Sequence, residues 1–206
     1  MADWRFLRRW SEEELAQGLE RRRDLGFNYD PAAPRPAEAG WRRFAAETPL
    51  ARERPGPPEP GGAFERAWDA VERYQFSDPR IVVGHFDPAE PLEGRIMLLE
   101  LRALGFRFLA GTRVTATRRE STSHQTVHGF RYDTLHGHVE CGWEWFLLSK
   151  SHATGEVRFR IESEWRPGDF PNAWSRLGFR VLAPHYQRAW TRRAGQRLRR
   201  ALDDGR

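Results

Sequence analysis

The stretch "EVRFRIESEW", residues Glu156 to Trp165, decides the fold class. Val157, Phe159, Ile161, Ser163 and Trp165 alternate without a break with Glu156, Arg158, Arg160, Glu162 and Glu164. Successive side chains of a strand point to opposite faces, so this alternation predicts a strand with its odd-numbered side chains buried and its charged ones in water. One wet face is characteristic of an antiparallel sheet.

The preceding "SKSHATG" is turn-like, which pairs this strand with the one before it as a hairpin. That earlier stretch, "FRYDTLHGHVECGWEWF" (Phe130 to Phe146), is dense in polar and aromatic groups. Counting by twos puts Trp143 with Val139, Cys141, Trp145 and Leu147, so Trp143 and Trp165 are both expected on the apolar side. Further upstream, "RIVVGHF", "RIMLLEL" and "GTRVTATRRE" read as strands separated by Gly and Pro. Before them, "FERAWDAVERYQF" sets Phe64, Ala67, Trp68, Val71 and Tyr74 at helical spacing. Ser11 with Glu14 forms a capping-box pair opening a short polar helix. Between these helices, Pro31 to Gly62 carries eight prolines and no usable period, which predicts an extended arm or a flexible linker. From Asn172 the pattern is helical again, with Trp174, Leu177, Val181 and Leu182 on one stripe. Pro184 is expected to kink or interrupt it before the spacing resumes at Ala194, Leu198, Ala201 and Leu202. The whole reads as an α+β chain: a lead-in over 1–30, an arm or linker over 31–62, and a main unit over 63–206 continuous with the first part.

At 206 residues there is room for one well-cored domain. No run of about 18 apolar residues occurs, and "MADWRFLRRW" lacks the apolar core of a signal peptide, so a soluble, cytoplasmic protein without a membrane span is expected. A single cysteine, Cys141, excludes an intramolecular disulfide and a cysteine-based zinc cluster. The net charge of +5 is carried almost wholly by arginine, Lys150 being the only lysine. Composition leaves the oligomeric state open.

Several of these segments carry a resemblance. "FERAWDAVERYQF", "GTRVTA", the set Phe130, Tyr132, Thr134, Leu135, Gly137, His138, Glu140, Gly142 and Phe146, and the later Arg166 and Pro167 together resemble the bacterial and plant family known as domain of unknown function nineteen-ninety. That family is similar to the wider helix-grip superfamily of START lipid-transfer and birch-pollen-allergen proteins. The resemblance implies a helix-grip fold, a curved antiparallel sheet packed on a long C-terminal helix, with a cavity between them for a small apolar or amphipathic molecule. Asp133 stands where the family has Gly, Trp143 where it has Glu, and Trp165 where it has Ser. The two rings imply a smaller and less polar cavity, with Trp143 and Trp165 as apolar wall and Tyr132, Thr134, His138 and Arg166 as polar marks.

Other chemistry is weighed against this. His136, His138 and Glu140 alternate and could supply two imidazoles and a carboxylate to a metal, although Gly137 disturbs the alternation. His138 beside Glu140 could form an acid-base pair; the plainer reading is a hairpin turn with polar side chains in water. Cys141 reads as a small buried hydrophobe. Eight arginines between Arg176 and Arg200, with Trp174 and Trp190 among them, are compatible with nucleic acid, or with an ordinary solvated helix face. No nucleophile elbow, phosphate loop or dinucleotide fingerprint is present, and no cofactor is implied.

Overall fold

The computed structural model describes residues 3–168 and 173–203, with side chains in the last helix from residue 185 onward. Its elements are β1 (Asp3–Phe6), α1 (Glu12–Glu20), β2 (Arg42–Arg52), α2 (Ala63–Glu72), β3 (Val82–His85), β4 (Ile96–Ala103), β5 (Phe106–Ser121), β6 (Gln125–Thr134), β7 (Glu140–Ser151), β8 (Glu156–Pro167) and α3 (Ala173–Asp203). In β8 the odd-numbered side chains Val157, Phe159, Ile161, Ser163 and Trp165 are all buried as predicted, while Glu164, expected in water, is buried too, paired with Arg35 and Arg43.

The strands form one antiparallel sheet in the order β2-β8-β7-β6-β5-β4-β3, with β1 added to β5. Register shifts between Pro49 and Ala51 in β2 and between Val114 and Ala116 in β5 bend these strands, and the sheet curls around α2 and α3. Phe64, Trp68 and Val71 of α2 and Trp190, Ala194 and Leu198 of α3 meet Phe130, Phe146, Phe159 and Ile161 of the sheet in the inner core. Each fully buried large apolar side chain there contributes roughly 1.5–3 kcal/mol. The Trp190 ring lies 6.0 Å from Phe76 and 6.1 Å from Phe146, which ties α3 to the sheet.

The outer face is covered too. Gly18 of α1 sits so close to β4 that a Cβ there would lie 2.9 Å from the Leu98 side chain. Arg22 then donates to the Gly18 carbonyl at 3.0 Å and to Asp3 at 3.1 Å. Burial from both sides explains why "IMLL", residues 96–99, is a continuous apolar run and not an alternating one.

Two expectations need correction. The proline-rich stretch over 31–62 contains an 11-residue strand, β2, paired with β8 along the sheet edge. Its period is present in Phe44, Ala46, Thr48 and Leu50, all half-buried, and Pro49 sits at the bulge, where an edge strand tolerates proline. The C-terminal helix is not interrupted: α3 runs unbroken through Pro184. The stripe of Trp174, Leu177, Val181 and Leu182 lies outside the described side chains. Among the described residues no helix is long and apolar enough to cross a membrane.

The only lysine of the chain is fully buried. Lys150 on β7 pairs with Glu53 at 2.6 Å and donates to the Pro57 carbonyl at 2.7 Å. Glu53 in turn accepts from the Phe64 backbone at 2.7 Å, capping α2, whose own N-cap residue Gly62 has no side chain to do so. This ion pair fixes where α2 enters the core.

Candidate functional site

β6 and β7 are neighbours with Tyr132 opposite Glu144, and the Tyr132 hydroxyl donates to the Glu144 carboxyl at 2.6 Å. Both lie on the inner face with Phe130 and Phe146. Burial pushes the Glu144 carboxyl up to about 8, against the lowering effect of the Tyr132 bond. Burial and the Glu144 charge in turn raise the Tyr132 hydroxyl well above its ordinary value.

The β6–β7 connection is tight, with Gly137 at φ 87° and the His138 amide donating to the Leu135 carbonyl at 3.1 Å. His138 is thereby buried, and its Nδ1 accepts the Glu140 amide at 2.9 Å. An accepting Nδ1 leaves the ring proton on Nε2 in the neutral imidazole. Burial lowers the His138 pKa to about 4, so the ring is neutral near pH 7. Its Nε2–H is buried and has no hydrogen-bond partner among the described residues. The Glu140 carboxyl next to it is pushed up to about 7 by burial.

These groups line a pocket of about 30 Å³ closed by Trp165 and Ser163 of β8 and by Gln187 of α3, whose amide donates to the Ser163 hydroxyl at 3.3 Å. That volume suits water-sized occupants. Opposite Trp165 stands Gly142, where a Cβ would run into the Glu164 carbonyl; the absence of a side chain lets β7 and β8 close up beneath the ring. The pocket therefore combines one imidazole donor with the Glu144 carboxyl, which holds its proton near neutral pH, and the Glu140 carboxyl, raised to about 7.

Of the residues expected from sequence, Tyr132, His138 and Trp165 meet at this pocket, and Trp143 borders it from β7. Thr134 borders it, but its hydroxyl is committed to Asn28 at 2.6 Å and to the Gly142 amide at 2.9 Å. The face assigned to Trp143 is corrected. Its ring lies on the outer face, 4.9 Å from the Arg131 guanidinium, with its indole N–H 3.3 Å from Glu164. Arg166 also points outward and stacks on Trp41 at 5.5 Å. Only Trp165 of the two tryptophans turns its ring to this pocket, and the lining is polar, with His138, Glu140 and Glu144 in it. Glu144, Ser163 and Gln187 were missed; Glu144 shares its parity with Phe146 and Leu148, a signal masked by Trp145 and Leu147 on the other face.

His136 is exposed while His138 is buried, and among the described residues no three His, Cys, Asp or Glu side chains could hold a metal ion together. The polar hairpin in water is likewise corrected for His138, whose contact with residue 140 is to its backbone and not to its carboxylate. Cys141 is buried. Trp190 is a core residue donating to the Ser77 hydroxyl at 2.9 Å, while Arg193, Arg197 and Arg199 are tied to Asp78, the Gln75 carbonyl and the Pro49 carbonyl. The Trp174 side chain lies outside the described residues.

Residues 23–197 match a family model described as Domain of unknown function (DUF1990). No curated protein matches the sequence. Among solved structures, norcoclaurine synthase from Thalictrum flavum, a point mutant with a transition-state analogue, aligns over 80% of this chain and 96% of its own, at 7% identity and a TM-score of 0.50. Ara h 8.0201 aligns over 80% of this chain and 99% of its own, at 13% identity and a TM-score of 0.45. Ginseng major latex-like protein 151 from Panax ginseng covers 72% of this chain and 96% of its own, at 11% identity and a TM-score of 0.40. At such identities the likeness concerns the fold, which is the helix-grip fold.

Proposed function

The chain belongs to the family of the domain of unknown function DUF1990, and on that footing we propose that it binds a small amphipathic molecule between the sheet and α3. The polar end is held by His138, Glu140 and the Glu144–Tyr132 pair, and the apolar part lies against Trp165. The observation that carries this reading is the buried, unsatisfied Nε2–H of His138, on a residue that lines the same small space as Glu140 and the protonated carboxyl of Glu144. An unmet buried donor costs about 1–3 kcal/mol, and an acceptor on a ligand recovers it. A ligand larger than water requires the Trp165 ring or Gln187 to swing aside, so these two residues are the gate.

The test is mass spectrometry of small molecules released from natively purified protein. Wild type is expected to carry a compound near stoichiometry and His138→Phe, which keeps ring volume but removes the donor, to carry little. Equal loading of both proteins, or none in either, rejects the reading. A second reading, proton transfer by the Glu144–Tyr132 pair, is favoured by one observation: a carboxyl pushed up to about 8 is protonated and can act as a general acid near neutral pH. Turnover that survives Glu144→Gln would dismiss it.

A further inference from the structure

A second and larger concavity, about 460 Å³, lies where the β4–β5 turn meets α3, and it shares no lining residue with the pocket around Glu144. Its apolar wall is Leu7, Leu104 and Phe106, with Tyr186 from α3. Four guanidiniums, of Arg80, Arg102, Arg107 and Arg193, line the same space. Glu100 takes up Arg102 at 3.0 Å together with Arg107, and Asp78 takes up Arg193 at 2.9 Å. Four cations against two carboxylates leave a positively charged wall.

The apolar side is built in an unusual way. Leu104 and Leu7 both adopt left-handed backbone conformations, at φ 50° and 59°, which leucine seldom takes and which Asn or Gly would fill more easily. Both side chains are nonetheless displayed to solvent, at 72% and 69% exposure. The Leu7 amide donates to the Gly105 carbonyl at 2.8 Å, which holds the two leucines side by side at the hairpin tip. The exposed rings of Trp4 and Phe6 continue the patch, 5.8 Å and 5.0 Å from Phe106. An exposed apolar patch of this kind beside a basic cleft marks a contact surface, and the volume falls in the range of small-molecule sites.

We propose that this cleft is a separate binding site for an amphipathic anion, whose hydrocarbon chain lies on Leu7, Leu104 and Phe106 and whose carboxylate or phosphate head meets Arg80 and Arg193. The proposal does not depend on the pocket around Glu144. A purely polar anion would leave the leucines in water, and a neutral apolar molecule would leave the surplus positive charge of the wall unmatched.

The test is calorimetric titration of the full chain with dodecanoate below its micellar range, using wild type, Leu104→Asn and Arg80→Glu. Asn is at home in the left-handed region, so Leu104→Asn should melt no lower than wild type while its affinity falls at least tenfold. Arg80→Glu, at an exposed position, should lose affinity to a similar degree. Co-sedimentation with phosphatidylglycerol vesicles separates the sources of the anion. Saturable dodecanoate binding assigns the site to a free amphiphile, whereas vesicle binding that is abolished in the same two variants assigns it to an anionic membrane lipid. No binding in either arm, or unchanged binding by Leu104→Asn and Arg80→Glu, overturns the proposal.

Discussion

Replacing Glu144 by Gln should remove a pH dependence from the stability of this protein. The carboxyl is pushed up to about 8 in the folded state by burial, whereas an unfolded chain leaves it near its ordinary value of 4.5. Between those two values the folded state holds a proton that the unfolded state has released, so stability falls as pH rises. Below them both states are protonated and the group has no effect. For a single site with these constants, the loss between about pH 6.5 and about pH 8.5 is about 2 kcal/mol. His138 acts in the opposite sense and elsewhere: its value, lowered to about 4, costs stability only as pH falls below the ordinary imidazole range. The window above pH 6.5 therefore belongs to the carboxyls. Glutamine keeps the shape and an acceptor for the Tyr132 hydroxyl at 2.6 Å but cannot ionise. Urea melts of wild type and Glu144→Gln at a series of pH values should diverge by about 2 kcal/mol across that window, with the variant the flatter of the two. Parallel curves would refute the reasoning, because they would mean that Glu144 ionises in contact with water and that the pocket is not closed.

Two further substitutions probe the frame around the pocket. Trp165→Ser removes a buried ring and should cost about 3–5 kcal/mol in a denaturant melt while raising the uptake of an environment-sensitive apolar dye; no change in either would place the ring outside the fold's interior. Lys150→Met leaves the buried Glu53 carboxylate unpaired and should cost about 3–5 kcal/mol, with much of the loss recovered in Lys150→Met combined with Glu53→Gln, as read by thermal unfolding.

Apart from β1 and β2, whose pairing with distant strands the local pattern did not show, the strands and helices were legible in the sequence because their periods are local. The alternation over 156–165 needs only the chain's own geometry, and so does the stripe of Phe64, Ala67, Trp68 and Val71 on α2. The hairpin over residues 130–146 was singled out by its resemblance to the family pattern and not by a local period. Which side of β7 faces inward was not legible. Trp143, Trp145 and Leu147 are as apolar as Phe146 and Leu148, and parity alone cannot choose between two apolar faces. The choice is made by what covers each face. Residues from far upstream, Tyr29 bonded to Asp133 and Arg35 paired with Glu164, shield the outer side, so tryptophans can lie there half-buried while Glu144 turns inward. The carboxyl chemistry is likewise a property of tertiary structure alone. A glutamate on a strand is an ordinary acid until α3 and β8 close over it, since the shift comes from removing water and no neighbouring residue in the sequence can do that.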